Sequence, residues 1–353
     1  MKCILFSNYD LSEKTDLFFS TTWCRDRLFT SDNLNDIMKF YGTFSDREEL
    51  TEWMRERPKG GAYFHEVEGD KDVIVVIPTA EFGGKYAREC RENIFSGLHI
   101  IFVESGEIPD PYFNYAHNCN VGIKKALEYN PEWIVVSNDD MVKIDDVGVL
   151  RKELMKVESD KVDIVLARES RNHSTKKKIA KYGILFFLYF WLTNNLGGRN
   201  LLKLYKKFGV EYLIGPQKGI ISRFFKRGYN YTEIQDFGIF SANWARKNNG
   251  YIFDETFLSS TEDTDLSLRA SLFRKRISIS DYAIDSKIGG SIGAGTVRSL
   301  RDVAGLAYLN KKWSFEPEGI QLKNSRFKPK RDDVDPSLNV SVIKGREEDS
   351  LNE

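Results

Sequence analysis

The stretch "WIVVSNDDMV", residues 133–142, sets an unbroken apolar run against two adjacent carboxylates, Asp139 and Asp140. Four consecutive apolar residues, two of them valine and one isoleucine, predict a short strand buried on both faces, the kind that fills a parallel sheet. Two like charges at the mouth of such a strand repel each other unless something neutralises them. A divalent cation does so, because hard oxygen ligands hold Mg²⁺ or Mn²⁺ alongside substrate phosphates. The plainer alternative is a polar loop start in which Asp140 caps the segment that follows. Taken alone, the three letters NDD leave both readings open.

The neighbouring segments extend the pattern. "VIVVIP" (73–78) and "HIIFVES" (99–105) are two more apolar, β-branched runs, and "KVDIVLA" (161–167) is a fourth. Between them "KYARECRENIF" (85–95) and "NYAHNCNVGIKKALEYN" (114–130) carry helical spacing, the second stopping before Pro131. Strand, helix, strand, helix, strand predicts an α/β fold with a mostly parallel central sheet and crossover helices. In open sheets of this kind ligands bind beyond the carboxyl ends of the strands, and those ends carry Thr79, Glu104 and the Asp139–Asp140 pair.

The flanks are less regular. Within the lead of residues 1–70, "DREELTEWMRERPKG" (46–60) reads as an amphipathic helix stopped by Pro58 and Gly60, and "AYFHEV" (62–67) as a strand joined to the next by a Gly-containing turn. Downstream, Asn249–Gly250 predicts a turn ahead of a helix, "RISIS" (276–280) a strand, and "GGSIGAG" (289–295) a glycine-rich loop. The charged end, residues 331–353, has the composition of a disordered tail.

Composition bounds the class. Hydrophobic residues make up 41% and charged residues 29% of 353, which fits a globular chain with ample core. Net charge is zero, so nothing global argues for nucleic-acid binding. The charge is uneven, however: residues 168–227 hold fourteen Lys or Arg against Glu169 and Glu211 alone. Such a surface suits anions or a membrane face. Cys3, Cys24, Cys90 and Cys119 are scattered, which predicts neither a zinc site nor a disulfide framework and fits a reducing compartment. The N-terminus has no secretory pattern. The longest apolar run, "ILFFLYFWL" (184–192), has nine residues where a bilayer takes about 20. A cytoplasmic protein is expected, with the alternative of peripheral attachment to the inner face of a membrane.

A second acidic cluster, "STEDTDLSLR" (260–269), allows two accounts. Ser260 or Thr261 could cap a helix whose first-turn acids meet the helix dipole, with Asp265 and Arg269 as a surface pair. Alternatively, Asp263 is a general base that takes a proton from an attacking hydroxyl. The isolated histidines 65, 99, 117 and 173 read as ordinary structural or surface residues. No dinucleotide fingerprint, Walker loop, HExxH or GxSxG pattern is present.

Taken in order, "VIVVIPTAE", "IIFVESG", "NYAHNCNVGIKKAL", "WIVVSNDDMV", "GIFSANW", "GYIFDETF" and "TEDTDLSLR" resemble family 2 glycosyltransferases of the GT-A fold, over about residues 72–315. The resemblance implies an inverting transfer of a sugar from a nucleotide-diphosphate donor to an acceptor hydroxyl on a glycan or lipid-linked molecule. It implies that Thr79 and Ala80 touch the base, that Glu104 stands near base and ribose, and that Asn120 and Gly122 match an N-x-G helix beside the donor. Asp139 and Asp140 fall on the metal-binding motif, and Glu262 and Asp263 on an "ED" motif whose Asp is the catalytic base. The family's late "HxGG" often lends a histidine to the metal; here "KIGGS" puts Lys287 in that place. A protonated lysine cannot ligate a metal, so either the two aspartates and the diphosphate hold it, or Lys287 is a fixed charge near the leaving group.

The resemblance divides the chain into the 1–70 extension, a nucleotide-sugar-binding half at 71–165, a basic, aromatic-rich helical insertion at 166–232, and an acceptor and catalytic half at 233–330. Residues 176–207 read either as an interfacial membrane element or as a buried helix with solvated lysines. Two rivals share the fold: a sugar-phosphate nucleotidyltransferase, and a non-catalytic protein that binds anionic ligands through its basic insertion.

Overall fold

The computed structural model describes residues 24–105, 112–173, 175–181, 196–210, 212–215, 228–234, 236–258, 260–272, 275–287 and 295–313. The apolar run 184–192, the tail 331–353 and all of the glycine-rich loop except Gly295 lie outside them.

After a helical stretch over 24–30 come α1 (Leu34–Gly42) and α2 (Arg47–Glu56), the second starting at Asp46, whose carboxylate accepts the Glu49 N–H at 2.9 Å. Strands β1 (Tyr63–Val67) and β2 (Asp70–Thr79) follow, then α3 (Lys85–Glu89) running on into a wider turn at Cys90–Ile94, and β3 (Leu98–Glu104). Next are α4 (Tyr115–Leu127), β4 (Trp133–Ser137), β5 (Met141–Lys143), α5 (Val147–Leu154) and β6 (Ile164–Arg168). The basic segment supplies β7 (Lys176–Lys181), α6 (Leu196–Lys207), β8 (Tyr212–Gly215) and β9 (Gly228–Thr232). The chain continues through β10 (Phe237–Ser241), α7 (Ala242–Lys247), α8 (Glu262–Leu272), β11 (Ile277–Ser286) and α9 (Thr296–Trp313).

Eight strands form one sheet in the order β1-β3-β2-β4-β10-β6-β11-β5. The class is α/β, as expected, but the sheet is mixed rather than mostly parallel. β2 pairs parallel with β3 and β4, and β11 parallel with β6; β1–β3, β4–β10, β6–β10 and β5–β11 are antiparallel. An all-apolar run reports burial on both faces and not the direction of its neighbour, so β10, inserted between β4 and β6, left no trace in the pattern. β1 and β2 are strands as expected, yet do not pair with each other, because β3 lies between them. The crossing is tight at Gly69, where a Cβ would come within 2.3 Å of the Leu98 backbone.

The alternation in β2 serves two cores. Val73, Val75 and Ile77 join a cluster with Cys90, Phe95, Leu150 and Tyr282, while Ile74 and Val76 join Cys119, Ile123 and Ala126 of α4 on the other face. A third core is aromatic and gathers the lead: Phe40, Tyr41, Phe44 and Trp53 pack with Phe208 and, from α9, Tyr308 and Trp313. Phe40 and Trp53 meet at 4.9 Å between ring centroids, and Tyr41 and Phe208 at 5.4 Å. Each fully buried aromatic of this kind contributes roughly 1.5–3 kcal/mol, so the lead is held as part of the fold.

The basic segment departs from the expected helical insertion. In its described part β8, β7 and β9 make a three-stranded antiparallel sheet, and only α6 is helical. Leu201, Leu204 and Tyr205 of α6 are buried in the aromatic core, and the Lys207 ammonium donates to the carbonyls of Tyr41, at 3.0 Å, and of Phe44. One face of α6 thus packs in the core, while the apolar run on which the membrane reading rested lies outside the described residues. Among the described residues no helix is long and apolar enough to cross a membrane. Cys24 is disulfide-bonded, which the scattered cysteine spacing did not anticipate, and Cys90 and Cys119 are buried free thiols.

Candidate functional site

The carboxyl ends of β3, β2 and β4 lie side by side, with Thr79 in register with Glu104. At this edge the Thr79 hydroxyl donates to Asp139 Oδ2 at 2.8 Å, and both side chains are buried. The Cys90 thiol donates to the Asp139 carbonyl at 3.1 Å. Burial pushes that thiol far above its usual range, and the negative charges of Asp139, Glu89 and Asp140 add to the effect, so Cys90 serves as a neutral donor. Asp140 is only 4% exposed.

Lys287 arrives from the far end of the chain. β11 pairs with β5 so that Ser286 faces Met141, and one residue later the Lys287 N–H donates to the Asp140 carbonyl at 2.9 Å. Its side chain is exposed, with Nζ 5.3 Å from the centre of the Tyr86 ring. Ala80, next to Thr79, is exposed as well.

The second acidic cluster begins α8. Glu262 is buried, and its carboxyl is pushed up to about 8 by burial first and by the charge of Asp263 second. Its Oε2 has no hydrogen-bond partner among the described residues. Asp302, on α9, is raised as well by burial, with the Asp263 charge contributing, and Ser260 hydrogen-bonds it. Thr261 does not cap the helix: its buried hydroxyl accepts and donates nothing among the described residues, while the Ser260 side chain serves Asp302. Thr261 instead holds φ at +67°, a left-handed conformation unusual for a β-branched residue. α9 closes on this corner through Gly305, where a Cβ would stand 2.6 Å from the Ser260 carbonyl oxygen and 2.9 Å from Thr261 Oγ1.

Asp265 is not part of a surface pair. It is fully buried and accepts from Arg269 Nε at 2.8 Å, from Trp313 Nε1 at 2.8 Å and from Lys312 Nζ at 2.9 Å. Lys312 reaches Asp254 at 2.6 Å, which also accepts from the Tyr308 hydroxyl at 3.0 Å. Three acids in the first turn thus divide their work: Asp265 anchors the helix, while Glu262 and Asp263 are left at its mouth.

Tyr115 is a neighbour common to Glu262 and to the residues beside β4. Tyr115, in the first turn of α4, has its phenol pushed well above the ordinary value by burial, with the charges of Cys119, Glu262 and Asp236 adding. Asp236 in turn accepts the Asn138 N–H on its carbonyl at 2.9 Å, beside Asp139. Asn120 and Gly122 act on the packing of this corner. Asn120 clamps the 252–255 segment, accepting from the N–H groups of Ile252 and Phe253 at 3.0 Å each and donating to the Phe253 carbonyl at 2.9 Å. At Gly122 a Cβ would meet Val76 Cγ1 at 2.3 Å, so α4 lies close against β2.

Glu104 is engaged from β1: His65 Nε2 lies 2.5 Å from its Oε2. The imidazole is also stacked on Phe82, 4.4 Å between centroids and 3° between planes. The other three histidines are likewise matched with carboxylates, His99 with Glu66, His117 with Glu255 and His173 with Asp236. Their isolation along the chain concealed partners that only folding supplies. Tyr115, Phe82 and Asp302 were missed for the same reason; Tyr115 and Asp302 belong to helical stretches and Phe82 to the turn after β2, and their partners come from elsewhere in the chain.

Two buried carboxylates, one of them holding a hydroxyl, are a donor set that suits a hard divalent cation whose remaining ligands are water and phosphate oxygens. Among the described residues no third His, Cys, Asp or Glu joins them. A cavity of about 200 Å³ opens elsewhere, between the lead and the 251–256 loop, and is lined by Arg55, Lys59, Tyr251, Asp254 and Glu255 among others, with none of the acids of the two clusters. No protein-family model matches the chain, and no curated protein is significantly similar to it.

Proposed function

We propose that the protein is an inverting glycosyltransferase of the GT-A type that uses a nucleotide-diphosphate sugar. The observation that carries this reading is the meeting of Thr79, Asp139, Asp140 and Lys287 at one strand edge, from three widely separated segments that the resemblance marks as donor-binding. The mixed sheet agrees with the expected core over β3, β2 and β4 and departs from it at β10 and at both margins.

In this reading the diphosphate lies over Asp139 and Asp140, with the Lys287 ammonium offering a fixed positive charge to the leaving group. A Mg²⁺ or Mn²⁺ ion held by the two aspartates would supply charge neutralisation at the diphosphate. Asp263 accepts the proton of the acceptor hydroxyl as its oxygen attacks the anomeric carbon; the bond from that carbon to the diphosphate oxygen breaks, and configuration inverts. Glu262, with its carboxyl protonated below about 8, stands beside Asp263 as a hydrogen-bond donor and not as a second base. The acceptor is a glycan or lipid-linked hydroxyl, and the setting proposed is the cytoplasm or the inner face of a membrane.

Calorimetric titration with a panel of nucleoside diphosphates, with and without Mn²⁺, tests the reading on wild type and Asp140→Ala. Metal-dependent binding lost in the variant is the expected result. Absence of binding to every diphosphate by the wild-type protein overturns the proposal. With a donor identified, Asp263→Asn should abolish transfer and spare binding.

A further inference from the structure

We infer that His65, from the lead segment, determines donor affinity by clamping the nucleoside end of the site; this rests on the donor reading above. β1 runs antiparallel to β3 at the margin of the sheet, with Tyr63 opposite Glu104 and His65 opposite Phe102. Diagonal neighbours on one face of such a pair are within reach of a ring, and His65 uses that reach to place Nε2 2.5 Å from Glu104 Oε2. The same ring lies flat on Phe82, three residues after Thr79, and Phe82 stands edge-on to Phe102 at 5.3 Å. His65 therefore ties together the two segments between which the base would sit: the loop after β2 and the end of β3.

The contact has a chemical consequence. A carboxylate presents two acceptor oxygens. With Oε2 taken by the imidazole, Glu104 is held in one orientation and turns Oε1 to a ligand. Its side chain is 20% exposed and that of His65 36%, so both are accessible from solvent while locked to each other. A flat heterocycle bearing N–H or ribose O–H donors is the ligand such an arrangement takes, by stacking at the ring and hydrogen bonding at the carboxylate. Orientation fixed before binding is entropy not lost on binding, which is why a residue outside the acidic motifs governs affinity.

Three substitutions separate the two contacts. His65→Ala loses both, His65→Gln keeps a hydrogen bond to Glu104 without the ring, and His65→Phe keeps the ring without the hydrogen bond. The probe is the nucleoside diphosphate that wild type binds best among the uridine, guanosine, adenosine and cytidine forms, titrated calorimetrically. His65→Ala should weaken it at least tenfold, with Gln and Phe each restoring part of the loss; in transfer assays the donor KM should rise while kcat changes less than threefold. His99→Leu, which removes a matched histidine–carboxylate pair at the opposite end of β3, is the control and should leave affinity within twofold. Unchanged affinity in His65→Ala overturns the inference and leaves the donor reading standing. An equal loss in the His99 control reduces His65 to a folding role and overturns it too, while a wild type that binds no nucleoside diphosphate overturns both.

Discussion

The main-chain N–H of Lys287 donates to the carbonyl oxygen of Asp140 at 2.9 Å, which fixes a lysine from just past the end of β11 beside the second aspartate of the strand corner. Because the bond is made by backbone, its position survives any change of side chain. Lys287→Ala should therefore leave the fold intact and lower diphosphate affinity about tenfold, which corresponds to about 1.4 kcal/mol. The dependence on Mn²⁺ should become steeper, since the cation then carries the neutralisation alone. Titrations of both proteins with and without the metal would check this, and equal affinities would remove Lys287 from the site.

Gly305 permits the close approach of α9 to the Ser260–Thr261 corner. In Gly305→Ala the new methyl meets a carbonyl oxygen, which cannot rotate away as a side chain could. A loss of about 1–3 kcal/mol in urea unfolding is expected, together with reduced transfer, because Thr261 leads directly into Glu262. Gly42→Ala meets nothing within 4 Å and should be neutral or slightly stabilising.

Glu262 makes stability depend on pH in an unusual direction. Its carboxyl titrates near 8 in the folded chain against about 4.3 in an unfolded one, so between those values the native state holds a proton the unfolded state has lost. Stability should fall as pH rises through that window and level off above it. Glu262→Gln, neutral throughout, should remove this decline and be more stable than wild type at pH 8–9. Thermal unfolding from pH 5 to 9 reads out the difference between the two curves, and parallel curves would contradict it.

The Lys312 ammonium sits between Asp254 and Asp265, all three buried. Burial alone would raise the Asp254 carboxyl, but the charge and hydrogen bond of Lys312, with help from the Thr256 N–H and Arg269, hold it well below the carboxylate range. The stabilisation it brings is complete above the unfolded value and is lost as pH falls through the folded one. Lys312→Met leaves Asp254 buried without its ammonium partner, while Asp265 keeps Arg269 and Trp313, and should cost about 3–5 kcal/mol near neutral pH, with a smaller penalty in acid, where Asp254 can protonate. Urea midpoints at pH 7 and pH 4 give the comparison.

Much of the central fold was legible because its strands are apolar on both faces and its helices are amphipathic. β2, β3, β4, β6 and α4 sit where the runs and spacing put them, and Asn249 and Gly250 both adopt positive φ, 48° and 75°, at the expected turn. The edge that gathers Thr79, Glu104 and the aspartates followed from the same reasoning. Pairing direction was not legible, since hydrophobicity carries no sign for it, and so β10 and the place of β1 were missed. Nor was the fate of individual polar groups. Asp265 looks from its spacing like a surface partner of Arg269, and only the arrival of Trp313 and Lys312 from α9 makes it a buried anchor. His65 offered no signal at all, because its partner Glu104 comes from another strand.

The pairing of β5 with β11 has a bearing on how the molecule is made. Among the described residues, the strand that follows Asp140 finds its only sheet neighbour in a segment synthesised long after it. On a ribosome, β2, β3 and β4 can assemble early, but the ligand edge stays open until β11 has emerged, and such distant pairings form slowly. In the proposed donor reading, a product truncated before β11 would keep the acidic motif and lack the site, whereas adding the missing C-terminal piece in trans should restore it.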